Sequence, residues 1–274
     1  MKIVIMIDSF KGSLSSLDAA NIIKDEIKKL NPNEDITVLP VADGGEGTVD
    51  SMSELDGAKL VEVEVENPLF DKILGKYVLV EEKNLAIMEM SQAAGLVLIK
   101  DRLSPLKASS YGVGTMIKDA LDKGIRNFII GLGGSATNDG GVGMLACLGF
   151  RFYDASGNDI HPSNEGLSNL STIDLSQADP RLKECSFKIA CDVDNPLTGK
   201  RGSANVYGPQ KGASAQEVAI IDNNLSLFHI KTLEVIENAD DIYPGVGAAG
   251  GLGYAFKNYL KAELSPGIEL ILDM

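Results

Sequence analysis

The chain opens on Lys2 to Ile7, a nearly unbroken aliphatic run, which predicts a strand buried on both faces in a parallel sheet. A polar loop from Ser9 to Ser16 follows. Ser15 can cap a helix, with Asp18 three residues on in a capping-box-like position, and that helix runs to about Leu30, before Pro32. Ile36 to Val41 predicts a second strand ending in Asp43-Gly-Gly-Glu46-Gly47, and Thr48 to Leu55 a second helix. This β-α-β-α order calls for a parallel sheet.

At Ala58 the pattern changes. Leu60-Val-Glu-Val-Glu-Val-Glu66 alternates with period two, and Ile73–Val80 and Ala86–Met90 predict two further strands joined by turns at Asn67-Pro68 and Glu82–Asn84. That is an antiparallel meander, so a domain boundary falls near Ala58. Helices are expected at Met116–Lys123, Val142–Leu148 and Leu252–Leu264, and a strand at Phe128–Ile130. Residues 151–240 carry weaker periodicity and many turn formers. The chain closes on the apolar segment Ile268-Glu-Leu-Ile-Leu-Asp-Met274, where a natural domain seldom stops.

Composition narrows the classes. A chain of 274 residues, 44% hydrophobic and 23% charged, is globular. Its net charge of -14 argues against a nucleic-acid partner, which needs phosphate-neutralising cations. Cys147, Cys185 and Cys191 are odd in number and lack metal-ligand spacing, which fits a reduced, cytoplasmic protein. No run reaches the length of a membrane span, and no membrane partner is expected.

The chemistry concentrates in glycine-rich loops. Gly131-Leu-Gly-Gly-Ser-Ala-Thr-Asn-Asp-Gly-Gly141 lies between an apolar run and a helix. Gly131-x-Gly-x-x-Ala136 fits a relaxed dinucleotide fingerprint, but Asn138–Gly141 makes the turn too long. As a phosphate loop, Gly133, Gly134, Ser135 and Thr137 offer backbone donors, and Asn138 and Asp139 offer oxygens to an accompanying Mg²⁺. Turn formation and capping of the Val142 helix explain the same residues about as well.

Other loops shift that balance. Asp8-Ser-Phe-Lys11 and Asp43-Gly-Gly-Glu46 both follow predicted strands, so Asp8 and Asp43 can face one crevice. One carboxylate there can accept a hydroxyl proton, another can hold Mg²⁺, and Lys11 can neutralise an anionic substrate. Ser109-Ser110 precedes a helix, Cys191-Asp192-Val-Asp194-Asn195 reads as a strand ending in an acidic turn, and Gly208-Pro-Gln-Lys211-Gly212 frames one lysine. The two histidines, His161 in a turn-rich stretch and His229 amid apolar neighbours, form no triad.

Asp8-Ser-Phe-Lys-Gly-Ser-Leu-Ser-Ser16, Ala42-Asp-Gly-Gly-Glu-Gly-Thr48, Tyr111-Gly-Val-Gly114, Gly133-Gly-Ser-Ala-Thr-Asn-Asp-Gly-Gly141, Ala190-Cys-Asp-Val-Asp-Asn-Pro-Leu197, Gly208-Pro-Gln-Lys-Gly-Ala213 and Gly247-Ala-Ala-Gly-Gly-Leu-Gly253 together resemble the bacterial glycerate kinase family. The resemblance spans the chain in order. It implies ATP- and Mg²⁺-dependent phosphorylation of D-glycerate, usually to 2-phosphoglycerate. It also implies two α/β domains, one flavodoxin- or Rossmann-like with a parallel sheet, and one mixed-sheet, restriction-endonuclease-like domain inserted into it. The first would comprise residues 1–57 plus about 241–274, the second 58–240. The family's members run on to a further Gly-Glu-Gly-Arg-type loop, so a carboxyl-terminal segment completing the first domain is expected beyond Met274. Ser109-Ser110 stands where Thr-Thr or Thr-Ser is commoner.

The convergence of these acidic and glycine-rich loops on predicted strand ends sets the expected roles. Asp192 is the general base, with Lys11 and Asp8 also catalytic. Ser9, Asp43, Glu46, Ser109, Ser110 and Asn195 meet glycerate, while Gly133, Gly134, Ser135, Thr137, Asn138 and Lys211 hold ATP. Asp139 and Asp43 ligate Mg²⁺. A homodimer stays open. The competing readings are an NAD(P)-dependent oxidoreductase using Gly131–Ala136 and an inactive anion-binding fragment.

Overall fold

The computed structural model describes residues 1–7, 10, 13–14, 16–38, 45, 47–53, 55 and 57–272. Asp8, Ser9, Lys11, Asp43 and Glu46 lie outside the described residues. In chain order the strands are β1 (Lys2–Ile5), β2 (Asp35–Val38), β3 (Ala58–Glu66), β4 (Lys72–Val80), β5 (Leu85–Glu89), β6 (Asn127–Gly131), β7 (Arg151–Tyr153), β8 (Thr172–Asp174), β9 (Ser186–Ala190) and β10 (Glu263–Ser265). The helices are α1 (Ser16–Leu30), α2 (Thr48–Met52), α3 (Ser91–Ala94), α4 (Tyr111–Asp122), α5 (Val142–Cys147), α6 (Asn164–Leu167), α7 (Ser203–Tyr207), α8 (Ala215–Leu233), α9 (Ala248–Tyr259) and α10 (Gly267–Leu272).

The fold is mixed α/β. β1 and β2 pair in parallel, from Lys2 opposite Asp35 to Ile5 opposite Val38. The expectation that the first strand is buried on both faces is not met. Ile5 is buried, but Val4 and Met6 on the alternate face are about half exposed (57% and 49%). Successive strand residues face opposite ways, so cover on one side leaves the other open.

The main sheet has six strands in the order β10-β9-β6-β5-β4-β3. β3, β4 and β5 form the predicted antiparallel meander, and β5, β6, β9 and β10 run parallel. Alternation along its strands divides the core between the faces. Tyr77, Leu79, Ala86, Met88, Phe128, Ile130, Phe187 and Ile189 point into the large core with residues of α4, α5, α8 and α9. Val78, Val80, Leu85, Ile87, Ile129 and Ala190 point the other way, against Val49 and Met52 of α2 and Leu270 of α10. Both faces are covered, as parallel strands require.

The carboxyl-terminal residues, expected to join residues 1–57, also meet the main sheet. β10 is hydrogen-bonded to β9, and α9 places Leu252, Tyr254, Ala255 and Phe256 in the large core. By pairing and packing, residues 246–265 belong with the sheet of residues 58–240. The predicted helix over 252–264 ends at Tyr259 because Lys261, with φ 55, turns the chain into β10. Among the described residues no helix is long and apolar enough to cross a membrane.

Candidate active site

The site forms where adjacent parallel strands end together. Glu89 of β5, Gly131 of β6 and Ala190 of β9 lie in one row of the sheet. Two residues past that row come Gly133 and Asp192. Ligands of open α/β sheets bind at this carboxyl edge. A cavity of about 510 Å³ opens there, within the range that holds small-molecule ligands. Leu132, Gly133, Gly134 and Ser135 form one wall. Asp192 with its neighbours, Tyr207, Gln210, Ala248, Ala249, Leu96 and Gly45 complete it.

The glycine loop is pinned from several sides. The Gly134 carbonyl accepts from Leu96 N (2.8 Å), Ala136 N donates to the Ala94 carbonyl (2.9 Å) and Gly140 N to the Gly250 carbonyl (2.9 Å). Gly134 has φ +71, where a Cβ would be strained. Ala249, on the opposite wall, is held at φ 50 without that exemption, a conformation that costs about 1–2 kcal/mol.

Asp139, expected from sequence as a metal ligand, lies inside the loop. It is fully buried, and its carboxylate accepts from Ser110 N (2.8 Å), Ser110 Oγ (2.8 Å), Gly141 N (3.1 Å) and Gly143 N (3.1 Å). Those donors occupy both oxygens at the start of α5, where the helix dipole favours a negative charge. Burial nonetheless pushes its pKa up, against these hydrogen bonds. Ser110 is also fully buried, bonded to Asp139 and accepting from Met144 N (3.0 Å). Ser109 is buried and donates to the Pro162 carbonyl. Neither serine is among the residues that line the cavity.

Lys211 is likewise behind the loop. It is 2% exposed, and its Nζ donates to the Thr137 carbonyl at 2.6 Å. Burial pushes its pKa down to about 7, with the Asp139 charge acting in the opposite sense. The structure places it against the Thr137 carbonyl, and Gln210 beside it lines the cavity. Thr137 and Asn138 are fully buried and absent from the cavity wall, so only Gly133, Gly134 and Ser135 of the expected nucleotide set face it. Asn195 is not among the lining residues. Its Nδ2 donates to the Arg201 carbonyl (2.7 Å), and its Oδ1 accepts from the Tyr207 hydroxyl (2.7 Å). It therefore orients Tyr207, which lines the cavity.

Asp192 stands where a base is expected. Its Oδ1 accepts from Gly267 N (3.0 Å) at the start of α10, which fixes the carboxylate at the cavity wall. Tyr207, Gln210, Ala248 and Ala249 were missed as individuals, although the Gly208-Pro-Gln-Lys and Gly247-Ala-Ala-Gly-Gly runs flagged their neighbourhoods. The dinucleotide reading fails on geometry. Ten residues separate Gly131, still in β6, from α5, and the loop has no tight strand-to-helix turn.

A sequence model of the glycerate kinase family matches residues 3–274. The chain is 44% identical to a glycerate kinase of Bacillus subtilis (strain 168), aligned over all of this chain and 72% of that protein. It is 43% identical to a glycerate 2-kinase of Escherichia coli (strain K12), over 99% of this chain and 71% of the other. A crystal structure of a protein described as glycerate kinase 2 from Salmonella typhimurium LT2 superposes with a TM-score of 0.94 at 44% identity, covering 100% of this chain and 73% of that one.

Proposed function

The chain belongs to the glycerate kinase family, and on that premise we propose that it transfers a phosphoryl group from ATP to a hydroxyl of D-glycerate, giving 2-phosphoglycerate. The observation that carries the reading is the cavity itself, where Gly133-Gly134-Ser135 stand at the end of β6 and Asp192 at the end of the neighbouring β9. Phosphoryl transfer is governed by positioning and charge stabilisation, which a rigid donor wall and one oriented carboxylate can supply.

The residues fit the reactants. Gly133, Gly134 and Ser135 line the cavity and would meet phosphate oxygens, and Asp192 would accept the glycerate hydroxyl proton. Tyr207 and Gln210 would donate to the substrate's carboxylate or hydroxyls. Mg²⁺, which neutralises phosphate charge when bound, is held in such sites by one or two carboxylates and the phosphates themselves. Among the described residues no group of three or more His, Cys, Asp or Glu side chains could hold a metal. On sequence grounds Asp43 is the carboxylate we assign to it, which leaves Asp192 to act as the base. On sequence grounds we also assign Asp8 and Lys11 to the catalytic set and Ser9 and Glu46 to the substrate contacts. The free thiols of Cys147, Cys185 and Cys191 support a cytoplasmic setting.

The test is product analysis. With Mg²⁺-ATP and D-glycerate, phosphorus NMR should show the new phosphate on the secondary carbon. A phosphate on the primary carbon would refute the regiochemistry, and no phosphoglycerate would refute the function.

A further inference from the structure

Glu89 is a buried carboxylate outside every role assigned so far. It ends β5, next to Gly131, and is 2% exposed. Its Oε1 accepts from Val49 N at 2.6 Å, in the first turn of α2, and its Oε2 accepts from Ser91 Oγ at 3.1 Å. Each bond leads to a different wall of the cavity. On the first side Thr48, adjoining Val49, donates its Oγ1 to the Gly45 carbonyl at 2.8 Å, and Gly45 lines the cavity. On the second side the Ser91 Cβ lies 3.5 Å from where a Cβ on Gly134 would stand, and Gly134 lines the cavity.

A carboxylate removed from water costs several kcal/mol unless its oxygens are met by donors. Burial pushes the Glu89 pKa up, with the neighbouring Asp50 adding to the effect, while Val49 N, Ser91 and Gln92 oppose it. A neutral apolar residue would fill the space without that cost. The carboxylate supplies two acceptors at fixed separation, one for each wall.

We propose that Glu89 is a positioning residue, a clasp beneath the cavity that sets the Gly45 side of the site against the Gly133–Ser135 loop. The inference rests on the phosphoryl-transfer reading for its kinetic consequence, though the clasp itself does not. A displacement of about 1 Å in a site of this kind costs on the order of a hundredfold in rate. The substrate pair spans the two walls, so the loss falls on kcat/KM.

The experiment pairs Glu89→Ala, Glu89→Gln and wild-type protein in two readouts. Amide hydrogen exchange should show Val49 protected in wild type and Glu89→Gln, whose amide oxygen can still accept, and fast in Glu89→Ala. Steady-state glycerate phosphorylation should fall ~30- to 100-fold in kcat/KM for Glu89→Ala and return to within about threefold of wild type in Glu89→Gln. If Glu89→Ala leaves Val49 protected and the rate unchanged, the clasp is wrong. It is equally wrong if Glu89→Gln keeps Val49 protected but loses the rate, because the charge would then act on the chemistry. Should Glu89→Ala fail to fold, Glu89→Gln decides alone. A wild-type protein with no glycerate-dependent turnover would sink the kinase reading, while the exchange data would still judge the clasp.

Discussion

Asp139 and Lys211 both support the glycine loop from behind, one through its carboxylate and one through a single bond to the Thr137 carbonyl. A sequence can mark an Asn-Asp pair or a framed lysine as polar groups near glycines. It cannot say whether they face the cavity or the core, because that depends on which way the loop rolls between β6 and α5. The buried lysine gives a pH test. Folded Lys211 releases its proton near pH 7, whereas an unfolded lysine holds it to about 10.5, so between these values the unfolded chain binds more protons. Stability therefore rises with pH across that window and is lost as pH falls through about 7. Urea unfolding of wild type and Lys211→Met should show the wild type gaining on the variant from pH 7.5 to 9.5, by at most about 1.4 kcal/mol per pH unit. Parallel stability curves would mean that Lys211 stays charged in the fold.

The meander was legible because period-two alternation in β3 and aliphatic runs in β4 and β5 are strong local signals. α4 was only half legible. Gly112 and Gly114 read as loop residues, yet they are helical because α4 packs where a Cβ on Gly112 would meet the Glu66 carbonyl at 2.0 Å. The 19-residue α8 was missed altogether. Its Val218, Ile221, Leu225 and Phe228 are buried, but Ile220 and Ile230 point outward and blur the stripe. The signal that could have found it was its start. Ser214 accepts from Glu217 N, and the Glu217 carboxylate accepts from Ser214 N, a complete capping box. Ser214→Ala should cost about 1 kcal/mol, seen as a melting temperature lower by roughly 2–4 °C. An unchanged melting temperature would mean that α8 is held by packing alone, through Phe228 against Phe152, Tyr254 and Tyr259.

At the scale of the whole molecule, the parallel order β5-β6-β9-β10 brings loops separated by some 60 residues to one edge. Gly131 and Ala190 are register partners, which is why Gly133 and Asp192 share a cavity. Sequence placed both on strand ends but could not give the strand order, since a crossover leaves no local pattern. It also could not see Glu89, whose surroundings in Met-Glu-Met-Ser are those of any strand end. On the proposed function, this edge transfers phosphate with Asp192 as base. The most direct measurement is glycerate-dependent ADP release from Mg²⁺-ATP by wild type and Asp192→Asn. The account predicts turnover in wild type and a kcat lower by ~10²- to 10⁴-fold in the variant, with the melting temperature nearly unchanged. Wild-type kcat in Asp192→Asn would contradict it.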